Sequence, residues 1–409
     1  HYQLGYAYHR SSLWEKAIQE YSKCTGEPDE LHQKASYNLG ECYLKMDQKE
    51  YARNAFAEAA DMSINAEIQE DALFNYSKLA FELSYNPFHE AISAFEDYLN
   101  KYPNSKRRDE AYEFLLNVYM RTRNYEKALA SLDKIQNKDN RVKEAYQVVA
   151  YNRGVELFQA EKYTEAEKFF DKVSTYPVNP TVNADAKFWK AELSYRKGNL
   201  SEAVNRYNAF ISEPGAYNSE FYGTANYSQG YAYFKLANAE ENGETANAFY
   251  NNANTAFRKY IDGTHTKESK KESDACARAG DCFYVDKNYA QAILYYDKSI
   301  ALNKAGSEYA LYQKAICYGY DGQPEKKSWV LKNLITDSPN SKFEIDAKYE
   351  IAKTYLQQDR LAEAKPYFTD ILKNHATSAY AKLSMRDMCL VHVKENDQSQ
   401  VKASWTAIK

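Results

Sequence analysis

Apolar positions in this chain recur with a helical period, in short runs that come in pairs. The stretch Ala145–Val173, AYQVVAYNRGVELFQAEKYTEAEKFFDKV, shows the unit. Tyr151, Gly154 and Leu157 share one face of a first helix, spaced i, i+3, i+6. Ala166, Phe170 and Val173 share one face of a second, and Tyr163 opens that helix from the turn. Small residues, Gly154 and Ala166, stand where the helices would cross, with large ones above and below, so the two backbones can approach closely. Each helix carries aromatics on more than one side. A single pair cannot bury them, and neighbours of the same kind must.

The chain supplies those neighbours by repetition. The small residue of the first helix recurs at Gly5, Gly40, Ser77, Leu116, Gly154, Ala191, Gly230, Gly280, Ala315, Ala352 and, degenerate, Leu390. The small residue of the second recurs at Ala17, Ala52, Ala91, Ala128, Ala166, Ala203, Ala253, Ala292 and Ala364. Four residues later stands a bulky one: Tyr21, Phe56, Phe95, Leu132, Phe170, Tyr207, Phe257, Tyr296 and Phe368. In the ninth unit Lys327 replaces the second-helix alanine. The units fall near 1–30, 31–66, 67–104, 105–140, 141–180, 181–217, 218–266, 267–304, 305–341, 342–376 and 377–409, the last a degenerate cap around Leu390 and Trp405. One solenoid over 1–409 is therefore expected, in place of the two or three globular domains that length alone suggests. The long seventh unit holds an insertion near 237–249, expected to lengthen both its helices around a turn at Asn242-Gly243. Joints such as Pro103-Asn104-Ser105 and Pro339-Asn340-Ser341 are expected to stop one helix and cap the next. Tyr176–Thr181, with two prolines, is the stiffest joint, and Gly263–Ser273 the most polar.

These units resemble the tetratricopeptide repeat, with its Trp-Leu-Gly-Tyr-Ala-Phe-Ala-Pro order. Leu39-Gly40, Tyr43, Ala52, Phe56 and Ala59 match it closely, as do Leu4-Gly5, Tyr8, Ala17 and Tyr21. The terminal proline is kept in only some units. The resemblance covers essentially the whole chain. It implies an all-α fold, a right-handed α-α superhelix of about eleven helical hairpins that acts as a binding scaffold. The joints and the 35-to-39-residue spacings also resemble bacterial envelope proteins with such repeats, such as outer-membrane assembly lipoproteins and the Tol-Pal coordinator. That implies a periplasmic, outer-membrane-associated adaptor. The alternatives are a cytoplasmic regulatory adaptor and a carbohydrate-binding outer-membrane lipoprotein. The second ranks lower because the insertion carries no Trp.

Composition agrees with helices: in 409 residues there are only 14 Gly and 9 Pro. A net charge of −4 argues against nucleic acid as partner, which would call for a basic stripe. No apolar run is long enough for a transmembrane helix. The chain opens inside a helical pattern without Met and is expected to be a fragment or a processed form, with any membrane tether outside it. Of six cysteines, Cys42, Cys282 and Cys317 share one register and Cys24, Cys276 and Cys389 stand apart; buried thiols are expected, not bridges or metal ligands.

Two columns of rings flank the first-helix anchor. Three residues before it stand Tyr2, Tyr37, Phe74, Tyr151, Phe188, Tyr227, Tyr312 and Tyr349; four after it stand Phe81, Phe158, Tyr195, Phe234 and Tyr284. Both lie on one helix face. From them come the candidate ligand-binding residues of a groove for a peptide segment or partner protein: Tyr37, Phe74, Tyr151, Phe158, Phe188, Tyr195, Tyr227, Phe234, Tyr312 and Tyr349. The competing reading is that the rings only pack repeat on repeat. Acids six before the anchor (Asp71, Glu110, Asp185, Asp274, Asp346) and bases five after it are accounted for by the helix dipole. The Lys/Asn clamp that binds chaperone tails is not matched beyond Asn117. The seven His are scattered, and no HExxH, CxxC or phosphate-cradling glycine loop occurs. The chain is thus expected to be no enzyme, with no catalytic residues, metal or cofactor.

Overall fold

The computed structural model describes residues 1–83, 89–136, 138–264, 267–303 and 306–402. It is all-α, with no strand among the described residues. Trp405 and His265 lie outside them. The chain divides into two compact units, 1–189 and 190–409. The first holds α1 Tyr2–Arg10, α2 Trp14–Tyr21, α3 Glu30–Lys45, α4 Lys49–Asp61, α5 Ala66–Leu83, α6 His89–Lys101, α7 Arg108–Arg121, α8 Tyr125–Lys134, α9 Asn140–Gln159, α10 Tyr163–Val173 and the start of α11 Pro180–Arg196. The second continues with α12 Leu200–Ile211, α13 Phe221–Ala239, α14 Gly243–Asp262, α15 Ser269–Val285, α16 Tyr289–Leu302, α17 Glu308–Tyr320, α18 Pro324–Asp337, α19 Glu344–Gln357, α20 Leu361–Asn374 and α21 Ala379–Lys394. Within each unit, successive helices pair as antiparallel hairpins, each leaning on the next.

The anchors explain how a hairpin closes. All nine second-helix alanines are fully buried, and the bulky residue four later is at most 2% exposed. The first-helix glycine faces that bulky ring. A Cβ at Gly154 would stand 2.6 Å from Phe170 Cε1; at Gly40, 2.9 Å from Phe56; at Gly230, 2.7 Å from Phe257; at Gly280, 2.7 Å from Tyr296. The small residue is a socket for the ring, and ring burial contributes about 2–3 kcal/mol per hairpin. At the ninth hairpin the stem of Lys327 takes the alanine's place, 8% exposed, and its ammonium pairs with Glu350 on α19 at 2.6 Å.

The turn inside each hairpin is also repeated. In the α9–α10 turn Lys162 N–H donates to Leu157 O at 2.9 Å and Glu161 N–H to Phe158 O at 3.0 Å, a Schellman closure with Glu161 in the left-handed region at φ 59°. Seven residues past their anchors, Ser12, Asp47, Arg123, Lys287 and Asp359 adopt the same conformation, and Gly198 and Gly322 fill the place in two other hairpins. Joints between hairpins are pinned by buried amides: Gln147 Oε1 accepts from Asn179 N–H and Gln33 Oε1 from Asn65 N–H, both at 2.8 Å. Pro180 opens α11 directly after the first of these. Ser105 and Ser341 differ from the expected caps. Each Oγ accepts from the backbone two residues on, Arg107 and Phe343, while α7 and α19 start one residue later without a side-chain cap. The proline joint thus forms a turn ahead of the helix. The insertion behaves as expected: α13 and α14 are long, and the Asn242 side chain caps α14.

Cys42, Cys276, Cys282, Cys317 and Cys389 are buried and Cys24 half-buried. Burial pushes the thiols of Cys42, Cys276 and Cys317 from near 9.0 up to about 12, and raises Cys282 as well. In the unfolded chain they ionise near 9, so their contribution to stability is full below pH 9 and is lost as pH rises toward 12. At pH 8 a thiol reagent should label these four only as fast as the protein unfolds. Complete labelling within minutes in native buffer would contradict the burial.

Candidate functional site

The rings of the two predicted columns serve first as contacts between hairpins. Phe74, Phe188 and Tyr349 are buried; Tyr37, Tyr151, Phe158, Tyr195, Tyr227, Phe234 and Tyr312 are half-buried. Phe74 lies between Phe95 and Tyr98, with Arg107 over its face at 5.0 Å. Tyr151 Oη accepts from the Trp189 indole at 3.0 Å, and Phe158 meets the same indole edge-on at 4.8 Å. Phe188 also contacts Trp189. Lys235 sits over Tyr195 at 4.5 Å, and Phe234 packs on Tyr250.

Several of the tyrosines end on acids of the next hairpin. Tyr37 donates to Asp71, and Tyr227 and Tyr231 both donate to Asp274. Tyr349 donates to Asp387 at 2.7 Å, while Tyr380 points the other way, donating to Asp346 of the preceding hairpin at 2.8 Å. Asp71 and Asp274 belong to the row attributed to the helix dipole. Their further role, accepting a hydroxyl from the preceding hairpin, is visible in sequence only by reading the tyrosine and acid columns together. Burial raises the hydroxyl pKa of Tyr37, Tyr227 and Tyr349, and the acceptor carboxylate adds to it, so these tyrosines stay protonated donors.

A second acid position escapes the repeat pattern. Where the bulky second-helix residue is Tyr207 or Tyr296, the residue just past the first-helix anchor is Glu192 or Asp281 and accepts its hydroxyl, at 2.5 and 2.7 Å. Asp281 also accepts from Tyr309 at 2.8 Å and Arg278 at 2.5 Å. Arg278 in turn lies over Tyr309 at 4.7 Å. This network ties hairpins of the second unit together.

One group of rings does reach solvent around a shared space. A cleft of about 490 Å³ is lined by Tyr284 of α15, by Tyr312, Gln313, Ile316 and Tyr320 of α17, by Lys327 of α18, and by Glu350, Lys353, Thr354 and Gln357 of α19. Tyr320 is 64% exposed, stacks on Tyr289 at 5.4 Å and meets Tyr284 at 5.9 Å. Tyr312 is braced by a stacked Phe343 at 5.2 Å. Burial and the neighbouring Tyr320 hold Tyr284 up at about 12. The space offers flat rings, two side-chain amides, the Lys353 side chain and an internally neutralised Lys327–Glu350 pair. That suits a non-covalent ligand with its own backbone amides. Among the described residues no group of three or more His, Cys, Asp or Glu is placed to hold a metal, and no helix is long and apolar enough to cross a membrane.

The tetratricopeptide repeat family model matches residues 34–61, 71–105 and 346–378. No curated protein matches the chain. Among solved structures, the chain is similar to a signal-transduction ATPase with a tetratricopeptide repeat sensor from Pyrococcus horikoshii, at 16% identity over 92% of this chain and 71% of that one, with a TM-score of 0.42. It is similar to the APC/C hetero-tetramer Cut9-Hcn1 at 16% identity over 94% and 82%, with a TM-score of 0.33. A MamA double mutant is similar at 18% identity over 48% of this chain and 97% of its own, with a TM-score of 0.37.

Proposed function

Since this chain is a tetratricopeptide-repeat protein, and such repeats are protein-interaction scaffolds, we propose that it is a non-enzymatic scaffold. It captures an extended segment of a partner protein between α15, α17 and α19. The observation that carries this reading is the cleft in which three successive first helices converge, with exposed Tyr320 and half-buried Tyr284 and Tyr312 beside Gln313 and Gln357. Stacked rings that are already held in place lose little side-chain entropy on binding, and the amides can pair with the segment's backbone. The resemblance to envelope repeat proteins favours a periplasmic, outer-membrane-associated partner.

The test is capture from the envelope fraction, with a photo-crosslinking residue in place of Gln313. Tyr320→Ala should weaken capture about tenfold, near 1.4 kcal/mol, with an unchanged melting temperature. Tyr217→Ala, at a ring 76% exposed elsewhere, should leave capture intact. Tyr349→Ala should cost stability, because that ring is 4% exposed and bonded to Asp387. Equal capture by the Tyr320 and Tyr217 variants would defeat the proposal.

A further inference from the structure

A second cleft, which shares no lining residue with the first, lies between α16, α17 and α18. We propose that it binds a neutral oligosaccharide, with Trp329 as the stacking platform. Trp329 is 64% exposed, two residues past the second-helix anchor position of its hairpin. At that register the other hairpins place Gln19, Asn54, Ser93, Ala130, Lys168, Asn205, Thr255, Leu294 and Pro366, so none of them puts an aromatic ring there. The exposed indole is the one ring in that row, and with Ile300 and Leu311 beside it in the cleft it forms a contiguous apolar contact face.

The surroundings define the ligand's chemistry. The cleft holds about 620 Å³. Trp329, Asn333 and Asp337 line it from α18 at i, i+4 and i+8, a stripe about 12 Å long at 1.5 Å rise per residue. That is a run for linked rings and not for one small molecule. Leu311 adds an apolar side. Asp297 and Lys314, on the facing helices, pair at 2.5 Å and neutralise each other. Besides the aliphatic residues and Ser307 and Ser338, what remains is one flat aromatic face, one amide and one carboxylate. The indole covers the C–H face of a sugar ring, and the planar amide and carboxylate take its hydroxyls. Asp337 ends α18, where the helix dipole is negative, so an anionic ligand is repelled.

The full chain is titrated with maltotriose, cellotriose, xylotriose and triacetylchitotriose, following tryptophan fluorescence and heat. At least one should bind with a Kd below about 10 mM. Trp329→Ala should weaken that binding at least tenfold without moving the melting temperature, and Asn333→Ala should weaken it several-fold. Tyr320→Ala should leave it unchanged, so this site and the peptide cleft fail or stand separately. Binding by none of the four sugars, or undiminished binding by Trp329→Ala, overturns the proposal.

Discussion

Gly154→Leu is expected to destabilise the first unit by about 3 kcal/mol or more, read from urea unfolding, whereas most single changes on these helices should cost less. The steric reason is local. Even a bare Cβ at 154 would lie 2.6 Å from Phe170 Cε1 and 2.7 Å from Cδ1, inside any tolerable contact. Phe170 cannot yield, because it is 1% exposed and closed in on all sides. Leucine would bring about 1 kcal/mol of helix propensity over glycine, far short of the clash. The helices must therefore part, and Ala166 and Val173, both fully buried, lose their cover. Since each hairpin is stable only against its neighbours, the loss spreads along the unit. Adding Phe170→Ala to Gly154→Leu should recover part of the loss, because the second change removes the atoms the first collides with. A single variant within about 1 kcal/mol of the parent, or a double variant no better than additive, would show that the glycine is not a socket.

That socket explains why the repeat was legible. Gly154 with Phe170, or Gly280 with Tyr296, is a steric rule, and it imposes a fixed offset that survives in sequence. The hairpin turns were not legible by the same reasoning. Only Gly198 and Gly322 are the glycine that signals such a turn; in six other hairpins the left-handed residue is Ser12, Asp47, Arg123, Glu161, Lys287 or Asp359. Only stacking the repeats in register shows the position. The binding candidates were legible as a column but not as a site. Phe74 and Phe188 are buried, and the two exposed rings that carry the proposals, Tyr320 and Trp329, lie outside both columns. A column records what repeats, whereas Tyr320 and Trp329 stand where other hairpins place different residue types. Lys327 shows the same principle from inside the core, where one unit exchanges an alanine for a cation paired to the next hairpin.

Asp281 should give the second large effect. Asp281→Ala is expected to cost the second unit about 3–5 kcal/mol, while Asp281→Asn costs much less. Asp281 is 7% exposed and its carboxylate accepts from Tyr296, Tyr309 and Arg278. Alanine strands two hydroxyls and a guanidinium, and the carboxylate of Asp274 stands 3.7 Å from Arg278 Nε, too far for a hydrogen bond. Asparagine keeps an acceptor for the hydroxyls. The pH dependence separates charge from shape. Burial, the largest influence, pushes the Asp281 carboxyl above its ordinary range, against the opposing pull of Arg278 and the two hydroxyls. The folded carboxyl then keeps its proton to higher pH than the unfolded one. Its contribution is full at the acid end and is lost as pH rises through the folded value. An asparagine at this position does not titrate, so the parent's advantage over Asp281→Asn should shrink between pH 4 and pH 7. Urea curves across that range decide it: a gap that widens with pH would mean the ionised pair with Arg278 is the stabilising form, and Ala and Asn variants of equal stability would mean the hydroxyls need no acceptor.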